Sequence, residues 1–320
     1  MRTFHALAEV PSDWTSTVLS VGNFDGVHRA HQLVLGKVVD RAREVGARAL
    51  AVTFEPHPMR VLRPDIAPRL LTPLARKLEF LSQMQLDGAL VLPFTRDLSL
   101  MPASDFAEQV LARGLHAREV HEGANFRFGH KAQGDVKLLA QFGKELGFDV
   151  IAYPELRIRG ESVSSSRVRE LLGRGDVRRA RHLLGRSFNI VSTPGRGRGY
   201  GHRYTVPTIN LVQYEELVPA DGVYITRTRV NGECFDSVTN VGKRPTFGDE
   251  SFAIETHLLN FHPIELTAQT DVDLYFLERL RGEIKFPSVD ALREQIGRDV
   301  KKAQRFFRLV AAAVKAQTAR

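Results

Sequence analysis

Residues Gly22 to His31, reading GNFDGVHRAH, set two histidines three residues apart beside two glycines and an aspartate. The segment lies between the apolar run Thr17–Val21 and the helix-periodic stretch Gln32–Glu44, where a strand turns into a helix. His28 and His31 on a first helical turn project the same way, above a helix N-terminus whose unpaired N–H groups attract anions. Gly22 and Gly26 permit the close backbone approach that a bulky triphosphate needs, and Phe24 can anchor the loop in a core. Nothing here supplies a covalent nucleophile, so the chemistry is stabilisation of charge on a reacting phosphate. A metal pair, or a surface turn with incidental histidines, is the alternative reading.

A second cluster, Val163 to Arg169, sets Ser164, Ser165 and Ser166 before a helix and Arg167 and Arg169 on its first turns. The serines suit helix capping, and Arg167 can neutralise a leaving pyrophosphate. Ordinary capping with a surface arginine is the plainer alternative.

The elements that must position these groups alternate. Strand-like runs at Thr17–Val21, Ala47–Phe54, Gly88–Pro93, Glu119–Glu122 and Asp149–Tyr153 are separated by helical patterns near Gln32–Glu44, Thr72–Gln83, Ala103–Arg113 and Asp135–Lys144. This predicts an α/β fold, a mostly parallel sheet with helices on both faces and ligands at the carboxyl ends of the strands. From Ser187 the texture changes: Phe188–Ser192, Gly222–Val230, Cys234–Asn240, Ala253–Leu259 and Asp271–Phe276 read as strands, with Asn231-Gly232 as a hairpin turn. A last helix, Ser288 to Lys315, has Ser288 as N-cap and Asp290 in its first turn. The second half therefore reads as a small antiparallel β-barrel followed by a C-terminal helix, joined to the first at a turn, Leu184-Gly185-Arg186.

A chain of 320 residues suggests two domains, and 43% hydrophobic with 26% charged residues describes an ordinary globular protein. The single cysteine excludes an internal disulfide and a CxxC metal site, and the first twenty residues lack the apolar core of a signal peptide, so cytoplasm is the expected compartment. The net charge of +8 equals the excess in Arg167 to Arg203, ten arginines against Glu170 and Asp176. That window carries helical patterns and a Gly-rich loop with only Phe188 and Tyr200 as aromatics. A solvated helical face plus sites for phosphorylated small molecules explains it more economically than nucleic-acid binding, and no run in the chain approaches the length of a membrane span. Self-association is left open.

GNFDGVHRAH resembles the GxFDGxHxGH signature of the nucleotidyltransferase superfamily, with Ala30 in place of the usual Gly. In that superfamily the histidines contact ATP phosphates during adenylyl or cytidylyl transfer. Ser164-Ser165-Ser166-Arg167-Val168-Arg169 resembles the superfamily's S-S-[ST]-x-[IV]-R segment, which closes over the ATP phosphates. The resemblance implies that Gly22, Phe24, Asp25, Gly26, His28, His31, Ser164, Ser165 and Arg167 bind ATP. Thr53-Phe54-Glu55-Pro56-His57-Pro58 and Asn125-Phe126-Arg127-Phe128-Gly129 are similar to segments of the bacterial FAD synthetase branch, implying flavin contacts from His57, Asn125 and Phe126. Asn125 replaces an Asp common there. Without the family, His57 reads as a rigid turn, and Phe126 and Phe128 as packing.

The Gly-rich loop Gly195 to Gly201, then Pro207-Thr208-Ile209-Asn210, Asn240 to Gly248 and Ile254 to Leu259 together resemble the riboflavin kinase domain. Thr205 and Ile209 depart from its usual Gly and Ala. The likeness implies nucleotide binding by Gly199, Gly201, Thr208 and Asn210, with Thr208 and Asn210 as oxygen ligands of Mg²⁺. It implies Glu255 as the base for the ribityl 5′-hydroxyl, and Arg281, in Leu280 to Phe286, near the flavin. The whole chain thus resembles the prokaryotic FAD synthetase family. Residues 1–185 would be the FMN adenylyltransferase domain and 186–320 the riboflavin kinase domain. The implied substrates are ATP, riboflavin and FMN. Two rivals stay open: another nucleotidyltransferase acting on a different phosphorylated molecule, and a non-catalytic RNA-binding or regulatory protein.

Overall fold

The computed structural model describes residues 1–195, 208–212, 214–245, 250–262, 264 and 266–318. The chain separates into two compact units, Met1–Arg167 and Val168–Arg320. The turn at Gly185 lies within the second unit, where it ends a helix in a left-handed conformation.

In the first unit six parallel strands run in the order β1-β4-β3-β2-β5-β6: β1 Arg2–Phe4, β2 Thr17–Val21, β3 Arg48–Glu55, β4 Gly88–Pro93, β5 Ala117–Gly123 and β6 Asp149–Tyr153. Every residue of β2 is buried, as a strand covered on both faces requires. Its neighbours alternate between two cores. Leu19 and Val21 pack with Leu50, Val52, Leu90 and Val120 on one face. On the other, Val18, Ala49, Ala51 and Ala89 lie under α1 (Arg29–Val45) and α2 (Leu74–Ser82), small residues that let the helices come close.

All five expected strands are present, three with the expected bounds. The edge strand β1, three residues long, is too short to show a pattern and was not expected. The expected helix Ala103–Arg113 is regular only over Ala103–Asp105; Phe106–Gly114 (α3) is wound as a π-helix that buries Phe106, Ala107, Val110 and Leu111. The helix expected at Asp135 is α4, Val136–Leu146, capped by the Asp135 side chain.

Two helices, α5 (Ser165–Gly173) and α6 (Val177–Leu184), lead into the antiparallel sheet. Its strands are β7 Phe188–Ser192, β8 Thr208–Asn210, β9 Gly222–Val230, β10 Glu233–Pro245, β11 Glu250–Leu258 and β12 Val272–Arg281, in the order β7-β12-β9-β10-β11-β8. The expected strands at 234, 253 and 271 are all longer than the sequence suggested. β8, made of Thr208, Ile209 and Asn210, was not expected as a strand. The sheet curls until its first and last strands meet at a bridge, Pro194↔Leu211, with Gly195 N donating to Asn210 O at 2.7 Å. Asn231 and Gly232 make the expected two-residue turn between β9 and β10, both with positive φ, 49° and 82°. Arg279 fastens α5 and the segment before β9 to β12, donating to Arg174 O at 3.1 Å and Asp221 O at 2.6 Å.

Val223, Ile225 and Val238 face outward against Ala303 and Phe307 of the last helix, α7 (Val289–Thr318), whose first turn Ser288 caps at Ala291 N, 3.2 Å. The alternate residues face inward, where Tyr224 and Phe276 meet edge to face at 5.3 Å. Beside them the interior is polar. Thr226, Thr228, Ser237, Thr239 and Thr256 are fully buried, and their hydroxyls lie 2.7–3.2 Å apart in a closed ring. Thr239→Val is isosteric but opens the ring, taking one of two hydrogen-bond partners from each of the buried Thr226 and Thr256 hydroxyls. It is expected to destabilise the protein by about 1–3 kcal/mol in chemical denaturation followed by circular dichroism, whereas Thr239→Ser, which keeps the hydroxyl, loses less.

Candidate active sites

Strand β2 ends at Val21, and Gly22 N still bonds Val52 O at 2.9 Å. The chain then turns through three left-handed residues, Phe24 (φ 45°), Gly26 (φ 83°) and Val27 (φ 37°). Such backbone is costly away from glycine, and deep burial of Phe24 and Val27 holds it in place. The Phe24 ring occupies the space a side chain on residue 22 would need, and stands edge-on to His31 at 5.2 Å. It is the expected anchor.

Asp25 is buried, and its carboxylate accepts Leu71 N at 3.1 Å, Thr72 N at 3.0 Å and the Thr72 hydroxyl at 3.3 Å. Thr72 Oγ1 in turn accepts Gly26 N at 2.9 Å. The helix expected from Thr72 therefore starts later, at Leu74, because Thr72 belongs to this clasp. Sequence reasoning grouped Asp25 with ATP; in the structure its carboxylate is engaged in building the loop.

α1 begins at Arg29, ahead of the expected Gln32. His28 is its N-cap, extended rather than on the first turn, with Nδ1 accepting His31 N at 3.4 Å. The two imidazoles stack at 3.6 Å with 16° between their planes. Their in-plane lone pairs therefore run side by side instead of converging on one ion, which weakens the metal-pair reading. Both rings sit at the helix N-terminus, where anions are favoured.

The serine-rich segment comes to the same loop. Ser165 Oγ donates to Asp25 O at 2.8 Å, and Ser164 Oγ accepts Arg167 N at 3.2 Å, the expected cap. Arg167 pairs with Glu161 at 2.9 Å. His57 follows β3 and caps the short helix Pro58–Leu62 by accepting Met59 N at 3.2 Å. Asn125 follows β5 and is exposed, while Phe126 stacks on buried Phe128 at 5.5 Å. The expected ATP and flavin segments after β2, β3 and β5 all leave carboxyl ends of the sheet. Strand order reverses between β2 and β5, the place where open α/β sheets take their ligands.

One residue escaped sequence reasoning. Lys77 on α2 is buried and donates to Thr53 Oγ1 at 3.4 Å; Thr53 donates to Asn23 O at 3.3 Å. Burial lowers its pKa, opposed by the Asp25 and Glu55 carboxylates. Its signal was a lysine in the apolar stripe with Phe80 and Leu81.

In the second unit, strand register collects the expected kinase residues. Asn210 lies opposite Glu255, Glu255 opposite Asn240, Asn240 opposite Val223 and Val223 opposite Arg281. Thr208 and His257 form the adjacent row. These residues share the outer face, since Thr256 between Glu255 and His257 points into the ring. Thr208, Asn210, Glu255 and His257 are half-buried, and burial lowers the His257 pKa, favouring a neutral imidazole. Ile209, the departure beside Asn210, is buried on the inner side and leaves the outer row unaltered. Arg281 donates to buried Asp299 of α7 at 2.9 Å and lies 5.7 Å over the Phe286 ring. Gly199 and Gly201 lie outside the described residues, as does Thr205.

Thr208 and Asn210 offer a hydroxyl and an amide oxygen, hard donors that suit Mg²⁺, which needs few protein ligands when phosphates supply the rest. Among the described residues no cluster of three or more His, Cys, Asp or Glu is placed to hold a metal by itself, and no helix is long and apolar enough to cross a membrane.

Comparison with known proteins follows the same division. The FAD synthetase family matches residues 10–167 and the riboflavin kinase family residues 184–307. Proteins named bifunctional riboflavin kinase/FMN adenylyltransferase are similar along nearly the whole length. That of Haemophilus influenzae is 34% identical, covering 90% of this chain and 94% of its own. That of Pseudomonas fluorescens is 34% identical, covering 95% and 97%, and that of Escherichia coli K12 32%, covering 97% and 98%. A crystal structure described as a macrolide-efflux protein from Streptococcus pneumoniae shares the fold, with a TM-score of 0.84 at 24% identity over 95% of this chain and 99% of that one. Two family matches in chain order, and relatives of this identity over this length, mean that the chain belongs to the bifunctional riboflavin kinase/FMN adenylyltransferase family.

Proposed function

We propose that the two reactions of this enzyme, phosphorylation of riboflavin to FMN and adenylylation of FMN to FAD, run at two separate sites, one per half of the chain. The observation that carries the reading is that the two constellations fall in different compact units: His28 and His31 at the N-terminus of α1, and Thr208, Asn210 and Glu255 on the outer face of β8 and β11. We assign adenylyl transfer to residues 1–185 and the kinase to 186–320.

In adenylyl transfer a phosphate oxygen of FMN attacks the α-phosphorus of ATP and pyrophosphate leaves. His28, His31 and the N–H groups opening α1 stabilise the charge on the phosphates. Gly22, Phe24, Asp25 and Gly26 shape the loop that receives them. Ser164, Ser165 and Arg167 receive the departing pyrophosphate, Arg167 exchanging Glu161 for it. His57, Asn125 and Phe126 hold the flavin.

In the kinase, Glu255 takes the proton of the ribityl 5′-hydroxyl as that oxygen attacks the γ-phosphorus of ATP and ADP leaves. Thr208 and Asn210 hold Mg²⁺ with the nucleotide phosphates, Gly199 and Gly201 belong to the nucleotide-binding loop, and Arg281, fixed by Asp299, lies near the flavin. When bound, Mg²⁺ neutralises polyphosphate charge at both sites. We place the enzyme in the cytoplasm, with small-molecule substrates rather than nucleic acid, and leave room for self-association.

Incubation with riboflavin, ATP and Mg²⁺, followed by chromatographic separation, is expected to yield both FMN and FAD, and a chelator should abolish both. Glu255→Ala should lower FMN formation about 10²–10⁴-fold while supplied FMN is still converted to FAD. His31→Ala should do the reverse, lowering FAD formation about 10²–10³-fold with FMN still accumulating. Loss of both activities in either folded variant would refute the two-site assignment.

A further inference from the structure

Glu122 is a buried carboxyl that no step above uses. It lies at the carboxyl end of β5, 4% exposed, and its Oε1 accepts Val21 N at 2.6 Å. That bond stands where a ladder bond is missing. β2 and β5 pair from Thr17↔Ala117 only as far as Leu19↔Val120. Beyond that point β2 stays with β3 through Val21↔Val52, and β5 stays with β6 through Gly123↔Tyr153. The two strands thus part over their last residues, at the position where strand order reverses, and the Glu122 carboxyl spans the parting.

Val21 is the last residue before the loop Gly22–His31, so the group that fixes its N–H also fixes where that loop leaves the sheet. Burial pushes the Glu122 pKa well above the ordinary carboxylate range, against the opposing effect of hydrogen bonds from Val21 N–H and the Ser20 hydroxyl. We infer that Glu122 is a positioning residue for adenylyl transfer, acting as a hydrogen-bond acceptor of fixed length rather than as a charge, wedging β2 from β5 and setting the place of the phosphate loop. This rests on the assignment of adenylyl transfer to that loop.

The test measures kcat and KM for ATP with supplied FMN in the full-length enzyme, with FMN formation from riboflavin as an internal control. E122Q keeps an uncharged acceptor of the same length and is expected to retain wild-type kcat and KM within about twofold. E122D, one methylene shorter, and E122A should raise KM for ATP about tenfold or more while FMN formation is unchanged, because small displacements of a phosphate site cost heavily. E122Q failing as badly as E122A would show that the negative charge is used, and would overturn the inference. So would wild-type KM in both E122D and E122A. If the shorter variants do not fold, E122Q decides alone: retained kinetics support the acceptor role and lost activity refutes it. His31→Ala measured alongside separates the two levels. FAD formation at the wild-type rate in His31→Ala would sink the site assignment itself, whereas an inactive His31→Ala with normal E122D and E122A would sink only the role of Glu122.

Discussion

The loop Gly22–His31 of the first half depends on the buried carboxylate of Asp25. Phe24, Gly26 and Val27 all adopt left-handed backbone, and a run of that kind needs fixed anchors on both sides. Asp25 provides them by accepting Leu71 N, Thr72 N and the Thr72 hydroxyl, after which Thr72 returns a bond to Gly26 N and Ser165 bonds the Asp25 carbonyl. Three distant stretches of chain are joined at one residue. The stacked histidines owe their position to this clasp as much as to their place at the start of α1.

The second half solves the same problem by register. Asn210, Glu255 and Asn240 face one another across three strands without any local motif placing them, because antiparallel pairing fixes which residues share a face. A slip of one residue in β11 would turn Glu255 inward and Thr256 outward. The closure at Pro194↔Leu211 and the fixed turn at Asn231-Gly232 both oppose such a slip. Arg281 is locked from the other side by Asp299, so α7 contributes to the same face through an ion pair.

Much of this was legible in the sequence where the signal is local. Buried parallel strands read as apolar runs, so Thr17–Val21 and Gly88–Pro93 could be bounded to the residue, as could the partly exposed edge strand Asp149–Tyr153. Asn231-Gly232 and Ser288 carry their own turn and cap chemistry. The family resemblance rested on motifs short enough to read directly. What stayed hidden is what depends on distant partners. The partners of Asp25 are 46 and 47 residues away and Ser165 reaches it across 140. Lys77 and Glu122 could be noticed as charges in apolar stretches, but their roles come from Thr53 and Val21, which only the fold brings near. β8 is three residues whose pairing with β11 defines it, and the π-wound turns of α3 follow from packing that periodicity does not encode.

The five hydroxyls inside the barrel form a cycle in which each can donate once and accept once. In such a circuit all donors run in one rotational sense, here the one in which the Thr239 hydroxyl donates to Thr256, and each bond polarises the next. Head-to-tail dipoles arranged in a circle nearly cancel, so the barrel carries a polar centre that exerts little net field on its surroundings. Glu255 and His257 stand on the opposite side of the same strand from Thr256, and the cycle adds little to the field they feel. Opening it at any one residue would convert a silent ring into a chain with two ends, one an unmet donor and the other an unmet acceptor, directly behind the face that carries Glu255.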